Sequence, residues 1–523
     1  MAQFNISNPN YGFSGTSLAD GGYSLHTQPS EKTADNFGRQ KVTIHQNVYE
    51  ADFEYGPQPL RWEALTYGSA SIVQVPSLGG VVMQVGTGSN DLAIRQSRPY
   101  HRYQPGKTMY MSANANFGGP VIGNYQRVGF FDDSNGAFFE QGLTSSLNPQ
   151  GMYVCLRSDA SLTGSLPVTT KVSLDQWNGD VNFAKNINWA TVQMIWIEYA
   201  WYGAGTVRFG VTANSEQYVL HTFNTANIAQ GPWSRTGNLP VRYEVRNSGS
   251  IGQTIAAPTT FVHYGVSVVV EGGRDAQRGF TYSYGINPQT PRGRSVPAGS
   301  FRYPVLSIQN RPMGTQEYTQ ATAAITSATT SSITVAGTPW TTNQWLGKFV
   351  YFPTGSQTAR VISNTNNTLN FIDVVTGLPM TQSAQIAGSQ YTIGLVNRGQ
   401  ILPLSLVISA DNLCTVELIS SIPNNPVILT GSNFVPMNTL GSSNSFALRD
   451  ISATGLNSGS GEVVYAFVAP AGGSGLQVFD LSNFFPLYNT IRGNLPDILT
   501  VAVSTATTGS SIGCHFVGQE AMS

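Results

Sequence analysis

Residues 189–212 read WATVQMIWIEYAWYGAGTVRFGVT. From position 192 to 201 nearly every residue is apolar or aromatic, broken only by Gln193 and Glu198. A strand half exposed to water would alternate polar and apolar residues. This one sets Met194, Trp196 and Ala200 on one face and Ile195, Ile197, Tyr199 and Trp201 on the other. Two apolar faces need cover on both sides, as in the middle of a sandwich. Tyr202-Gly203-Ala204-Gly205 then supplies turn residues, and residues 206–211 return as a partner strand. The stretch reads as the central hairpin of a large β domain.

Short strand signals flank it on both sides. They run through KVTIHQNVYEADFEY (41–55), then residues 71–75, 80–85, 109–115, 127–131, 137–140, 152–157, 218–223, 241–247 and 260–271. Gly, Pro or Asn marks most gaps. In RVGFFDDSNGAFFEQG the Asn135-Gly136 pair tolerates the positive φ angles of a type I′ turn, so a tight hairpin is expected there. A dozen short strands with scarcely a helix predict an all-β chain, with a jelly-roll or lectin-like sandwich over residues 41–310. Residues 311–396 change to Thr, Ser and Asn and read as a small inserted β-barrel or sandwich, with Trp340 and Trp345 as its largest apolar pieces. Asn397-Arg398 then echoes Asn310-Arg311, and residues 397–523 read as a C-terminal β-sandwich. No period repeats, which disfavours a solenoid or propeller.

Residues 1–40 are polar and would not order themselves alone. Phe4, Tyr11, Phe13, Tyr23 and Phe37 are spaced along them like anchors, which suggests a docking arm laid on a neighbouring subunit.

The chain has 523 residues, so several cores are expected. Only 11% of residues are charged, and glycine contributes 55. That is less than half the charge of an ordinary soluble domain, roughly 25%. It suits binding modules and virion proteins better than metabolic enzymes. The net charge of −1 gives no global field toward nucleic acid or anionic lipid. Cys155, Cys414 and Cys514 show no CxxC spacing, so neither structural zinc nor a disulfide framework is expected. No signal peptide or membrane-length apolar run is present, which predicts synthesis in a cytosol without an export address.

Motifs for a nucleophile elbow, a phosphate loop or a zinc-protease helix are missing. His26, His45, His101, His221, His263 and His515 are scattered without ligand spacing. Asp132, Asp133 and Glu140 fall together on the predicted hairpin and with Asn135 offer oxygen ligands for calcium. The competing reading is that such turns simply need Asp and Asn. Glu198 interrupts an apolar strand and so requires a partner, for which Arg208 on the return strand is the candidate. Arg95, Arg98, His101 and Arg102 interleave with Tyr100 and Tyr103, a pattern able to bind nucleic acid or acidic glycan. Salt bridges at a domain or subunit contact explain it equally, and weigh more. Arg292, Arg294, Arg302 and Arg311 invite the same reading. No catalytic, metal or cofactor-binding residue is assigned, and no cofactor is expected.

The succession IRQSRPYHRYQPGKTMYMSANANFG (94–118), RVGFFDDSNGAFFEQ (127–141), MYVCLRS (152–158), QWNGD (176–180), MIWIEYAWYGAGTVRFGV (194–211) and PVRYEVRN (240–247) resembles a broad group of tailed-bacteriophage structural proteins of head-fibre, collar and tail-fibre type. After QWNGD the chain departs from that group's Asp- and Gly-rich stretch with VNFAKNINW. The resemblance implies a place in a particle rather than a reaction. It makes the expected partners copies of the same chain, with a trimer favoured, other capsid, portal or tail proteins, and host surface glycan. No nucleic-acid partner and no membrane span are expected. The resulting expectation is a non-enzymatic virion component, with a carbohydrate-binding adhesion protein as the alternative. A glycan depolymerase ranks third, since carboxylates are few and β-helix periodicity is missing.

Overall fold

The computed structural model describes residues 12–17, 23–28, 35–41, 44–161, 164–248, 255–273, 279–286, 293–313, 319–320, 324–353, 355–380, 390–422, 424–436, 445, 447–471, 477–482, 484–506 and 508–521. The chain is all-β and divides its apolar residues among three main cores.

The first core lies between two antiparallel sheets that form a jelly-roll-like sandwich. One sheet takes, in order, Glu216–Phe223, Val207–Ala213, Val192–Tyr199, Met109–Asn116, Thr259–Glu271, Gly80–Val85 and Ser71–Val75, with His45–Ala51 added along the long Thr259–Glu271 strand. The facing sheet takes Val168–Ser173, Met152–Ser158, Gly136–Gln141, Asn124–Phe131, Val241–Asn247, Leu92–Ser97 and Trp62–Tyr67. Alternation places Met109, Met111, Ile195, Ile197, Phe209 and Val268 of one sheet against Val128, Phe130, Phe139, Val154 and Tyr243 of the other.

The 189–212 stretch forms the expected hairpin inside the eight-stranded sheet, with Glu198 paired in register to Arg208. Its inner face is closed at Ile195, Ile197 and Tyr199. Its outer face is only partly covered. Trp196 and Glu198 are buried, whereas Val192 and Met194 are exposed. Trp196 fits because Gly210 opposite it has no side chain; a Cβ there would sit 2.1 Å from the indole.

The hairpin at 132–135 also forms, by different means. Asp132 and Asn135 close it through a backbone hydrogen bond of 2.8 Å, and the Asp132 carboxylate accepts from the Ser134 and Asn135 amides. Positive φ falls on Gly136 alone, at 139°. The turn is an Asx-type structure rather than the expected type I′ Asn-Gly turn.

The second core is the C-terminal sandwich, and its strands start earlier than expected. Phe280–Gly285 and Arg294–Val296 pair with Ser510–Ala521, and Tyr303–Asn310 pairs with Ile498–Thr505. The first sandwich therefore ends at Glu271, and residues 279–310 belong with 397–523. The two sheets here are Phe280–Gly285, Ser510–Ala521, Gln400–Ala410, Gln477–Asp480, and Val435–Pro436, Ala447–Asp450, Tyr303–Asn310, Ile498–Thr505, Cys414–Ser420, Glu462–Ala469.

The third core belongs to the inserted module. One seven-stranded sheet from Thr319–Gln320 to Thr392–Gly394 wraps around Ile333, Val350, Phe352, Phe371 and Trp340; Trp345 packs at its margin. The stems of the insert run side by side. Met313 bridges to Val396, and the Asn397 amide donates to Pro312 at 3.0 Å. That contact is what the echoed Asn-Arg pairs mark.

The outer face of the seven-stranded sheet joins the modules. Leu92 and Ile94 form a small core with Met313, Phe349, Val374, Val375 and Ile491. Ahead of the sandwich, Gly12–Ser17 and Tyr23–Gln28 pair as a hairpin. Residues 35–41 then lie against the first sandwich, where Phe37 meets Tyr202 edge-on and Asn36 accepts from Thr206. The other arm anchors, Phe4 and Tyr11, lie outside the described residues, as do the side chains of Phe13 and Tyr23. Among the described residues no helix is long and apolar enough to cross a membrane.

Candidate functional site

The acidic hairpin is occupied by its own protein. Asp133 takes a two-pronged contact from Arg242 at 2.8 and 3.0 Å, and Asn135 donates to Asp159 while accepting from the Arg235 amide. Glu140 pairs with Arg127 and Lys171, and Arg127 reaches on to Glu244 at 2.6 Å. Arg242 and Arg246 complete the ladder on Glu244, both at 3.3 Å. The register explains it: Glu140, Arg127 and Glu244 stand side by side on three adjacent strands. These oxygens are engaged by guanidinium, amide, ammonium and hydroxyl donors of the protein, and no cluster suited to a metal exists among the described residues. The hairpin thus supports the turn reading and not calcium.

The same contacts fix the charge states. Burial would raise Glu140, but Arg127 and Lys171 outweigh it and hold the carboxyl below its ordinary range. Burial is likewise outweighed at Glu244 by Arg246, Arg127 and Arg242, and at Asp133 by Arg242. A glycosidase-type general acid needs the opposite, a carboxyl kept protonated near neutrality. None of these three serves in that role.

Glu198 is ion-paired to Lys41, whose Nζ lies 2.9 and 3.1 Å from its two oxygens. Arg208 stands opposite and donates to the Asp35 carbonyl at 3.1 Å. Sequence reasoning missed Lys41 because it lies 157 positions away, at the first residue of the expected sandwich, where nothing local points to Glu198. Beside this pair an aromatic row crosses three strands. Trp196 stacks on Tyr110 (5.8 Å between ring centres) and Tyr110 on His45 (6.5 Å). The Trp196 ring is shut in, so it offers no stacking face.

The basic and aromatic segment 95–103 turns inward. Arg95 is buried in the core, its guanidinium 4.6 Å from the Phe53 ring centre and 5.5 Å from that of Trp62. Arg98 pairs with Asp497 of the C-terminal sandwich, where both side chains are buried. Tyr100 donates to Asp132, His101 packs on Tyr49 and Phe130, and Tyr103 stacks on Tyr199. Arg102 is half-buried. Arg98 makes the domain contact that the salt-bridge reading expects, while Arg95, His101 and Tyr103 pack inside the first sandwich. Arg294 and Arg302 are half-buried, donating to backbone carbonyls and pairing with Glu417 respectively. Arg311 is half-buried, and Arg292 lies outside the described residues.

His101, His221 and His263 are buried, whereas His45 is exposed. His263 stacks on Tyr243 at 4.0 Å, and burial together with Arg95 keeps it neutral. Burial pushes His221 down to about 4. The side chain of His26 lies outside the described residues. All three cysteines are buried and unpaired, and burial raises each thiol.

Two clefts remain. One lies beside the 35–41 segment, lined by Asp35, Arg39, Lys107 and Glu271 among others, and its Arg39 is paired to Asp35 at 2.6 Å. The other, of about 370 Å³, opens where the first and C-terminal sandwiches meet. Tyr49, Arg61, Tyr100 and His101 line one side, Gln400, Phe485 and Tyr488 the other. Arg61 was not singled out from sequence, since an isolated Arg before Trp62 carries no motif.

No family model matches the chain, and no curated protein matches it. Solved structures do. A glycosyl hydrolase family 16 protein from Mycobacterium smegmatis matches at 12% identity over 43% of this chain and 100% of its own, with a TM-score of 0.30. A beta-1,3-glucanase from Mycobacterium marinum matches at 14% identity over 43% of this chain and 98% of its own, TM-score 0.29. An endo-acting O-glycanase of the human gut microbiota matches at 12% identity over 43% and 99%, TM-score 0.31. The expectation of a non-enzymatic chain is corrected on this finding, since solved structures similar to the chain include proteins titled glycosyl hydrolases and glucanases. Likeness of this degree carries no activity or catalytic residue across.

Proposed function

We propose that this chain is a structural protein of a tailed-bacteriophage particle, a fibre, collar, decoration or tail component that assembles with copies of itself. The observation that carries the reading is the joint. Arg98, paired to Asp497, and Leu92 and Ile94, packed on Met313, Phe349 and Ile491, fasten the β modules to one another. A chain built this way presents a stiff body to its neighbours. The resemblance of the sequence blocks to tailed-phage structural proteins, an expectation read from the sequence alone, adds to that support.

Docking is assigned to the segment before the 35–41 strap. Because Lys41 anchors Glu198, the informative truncation removes residues 1–34 and leaves the strap. The truncated protein is expected to fold with an unchanged melting temperature and to be missing from purified particles. Normal incorporation of the truncated chain overturns the arm.

A second reading, carbohydrate contact by the particle, is favoured by the aromatic-lined cleft between the sandwiches. Glycan-array binding by the purified full-length protein tests it.

A further inference from the structure

The cleft between the first and C-terminal sandwiches is lined by one arginine, several aromatic rings and no carboxylate. Resting on the carbohydrate-contact reading, we propose that it binds an acidic sugar unit, a uronic- or sialic-type residue of a surface polysaccharide. Arg61 receives the carboxylate, and the half-buried ring of Phe485 packs on the sugar.

The assignment follows from which groups are already engaged. Arg98 behind the cleft is paired to Asp497. Arg398 donates to the Thr490 and Ile491 carbonyls, both at 2.9 Å. The Tyr49 hydroxyl donates to the Arg61 carbonyl and that of Tyr100 to Asp132. Arg61 is exposed, its guanidinium lies 4.7 Å over the Tyr49 ring, and no carboxylate pairs with it among the described residues. A guanidinium held on an aromatic face is pre-set for two-pronged contact with a carboxylate. A lining with one arginine and no lysine suits a single monoanionic group better than a phosphate chain. The volume is at the small end for ligand sites, roughly 300–1,000 Å³. Buried Gln400, which donates to the Tyr100 carbonyl at 3.2 Å, adds an amide for hydroxyl recognition.

The test uses full-length protein, titrated calorimetrically with a glucuronate-terminated oligosaccharide and its glucose-terminated counterpart. The acidic probe is expected to bind at least tenfold more tightly. Arg61→Gln should abolish that difference, Arg61→Lys should retain part of it, and Phe485→Ala should weaken both probes. Arg61 is exposed, so melting curves of its variants should match the parent. Equal affinity for the two probes, or an unchanged preference in Arg61→Gln, overturns the proposal. Array binding that survives Arg61→Gln overturns this cleft while supporting carbohydrate contact elsewhere. Absence of all glycan binding overturns both.

Discussion

Arg98 and Asp497 are 399 positions apart, yet they meet in the joint between sandwiches, both nearly excluded from water. Truncating one partner leaves the other charged and buried. Arg98→Ala is expected to cost about 3–5 kcal/mol in chemical denaturation, and Arg98→Met combined with Asp497→Leu should recover most of it. A loss in the single variant below about 1 kcal/mol, the scale of an exposed pair, would contradict a buried joint. Glu63 sits close by, accepting from the Ile491 amide at 2.8 Å. Burial pushes its carboxyl up to about 7, with Arg98 partly opposing. A raised acid binds its proton more readily folded than unfolded, so its contribution grows as pH falls from about 7 toward 4.5 and is lost as pH rises through 7. His221 and His263, held neutral, act in the opposite sense below about 6.5. The clean readout is a difference: wild type should gain stability over Glu63→Gln as pH falls through that window. The reverse slope would refute the assignment. Sequence could flag Arg98 as needing a partner, but nothing local points to Asp497, because such pairing is decided by module docking.

Strands were the most legible part of the chain. Ser71–Val75, Gly80–Val85 and Val241–Asn247 have the ends their apolar patterns suggest. Pairing was not legible at the module boundary. Tyr303–Asn310 looks like any other strand, and its partner Ile498–Thr505 lies nearly at the chain's end. Periodicity shows which face is buried but not which strand covers it. The outer face of Val192–Tyr199 teaches the same lesson. Trp196 reads as core, but it is accommodated by the empty position at Gly210 on the next strand. Gly210→Ala is therefore expected to destabilise by about 1–3 kcal/mol, through displacement of the indole or the strand. Wild-type stability with unchanged tryptophan fluorescence would show that the slot is not tight.

At the scale of the whole molecule, low charge was the most informative sequence property. Among the few charges present, those from Lys171 to Asp133 form a paired ladder across one sheet, whereas Glu50, Asp52, Glu216 and Glu462 stand exposed. The candidate cleft was hidden from sequence for a physical reason: its walls come from two modules that only folding brings together. The structural role is tested most directly by reconstructing the intact particle by cryo-electron microscopy. The account predicts density for three joined β modules, repeated by the particle's symmetry and contacted through the N-terminal segment. Particles with no such density, and a chain found only free and monomeric, would contradict it.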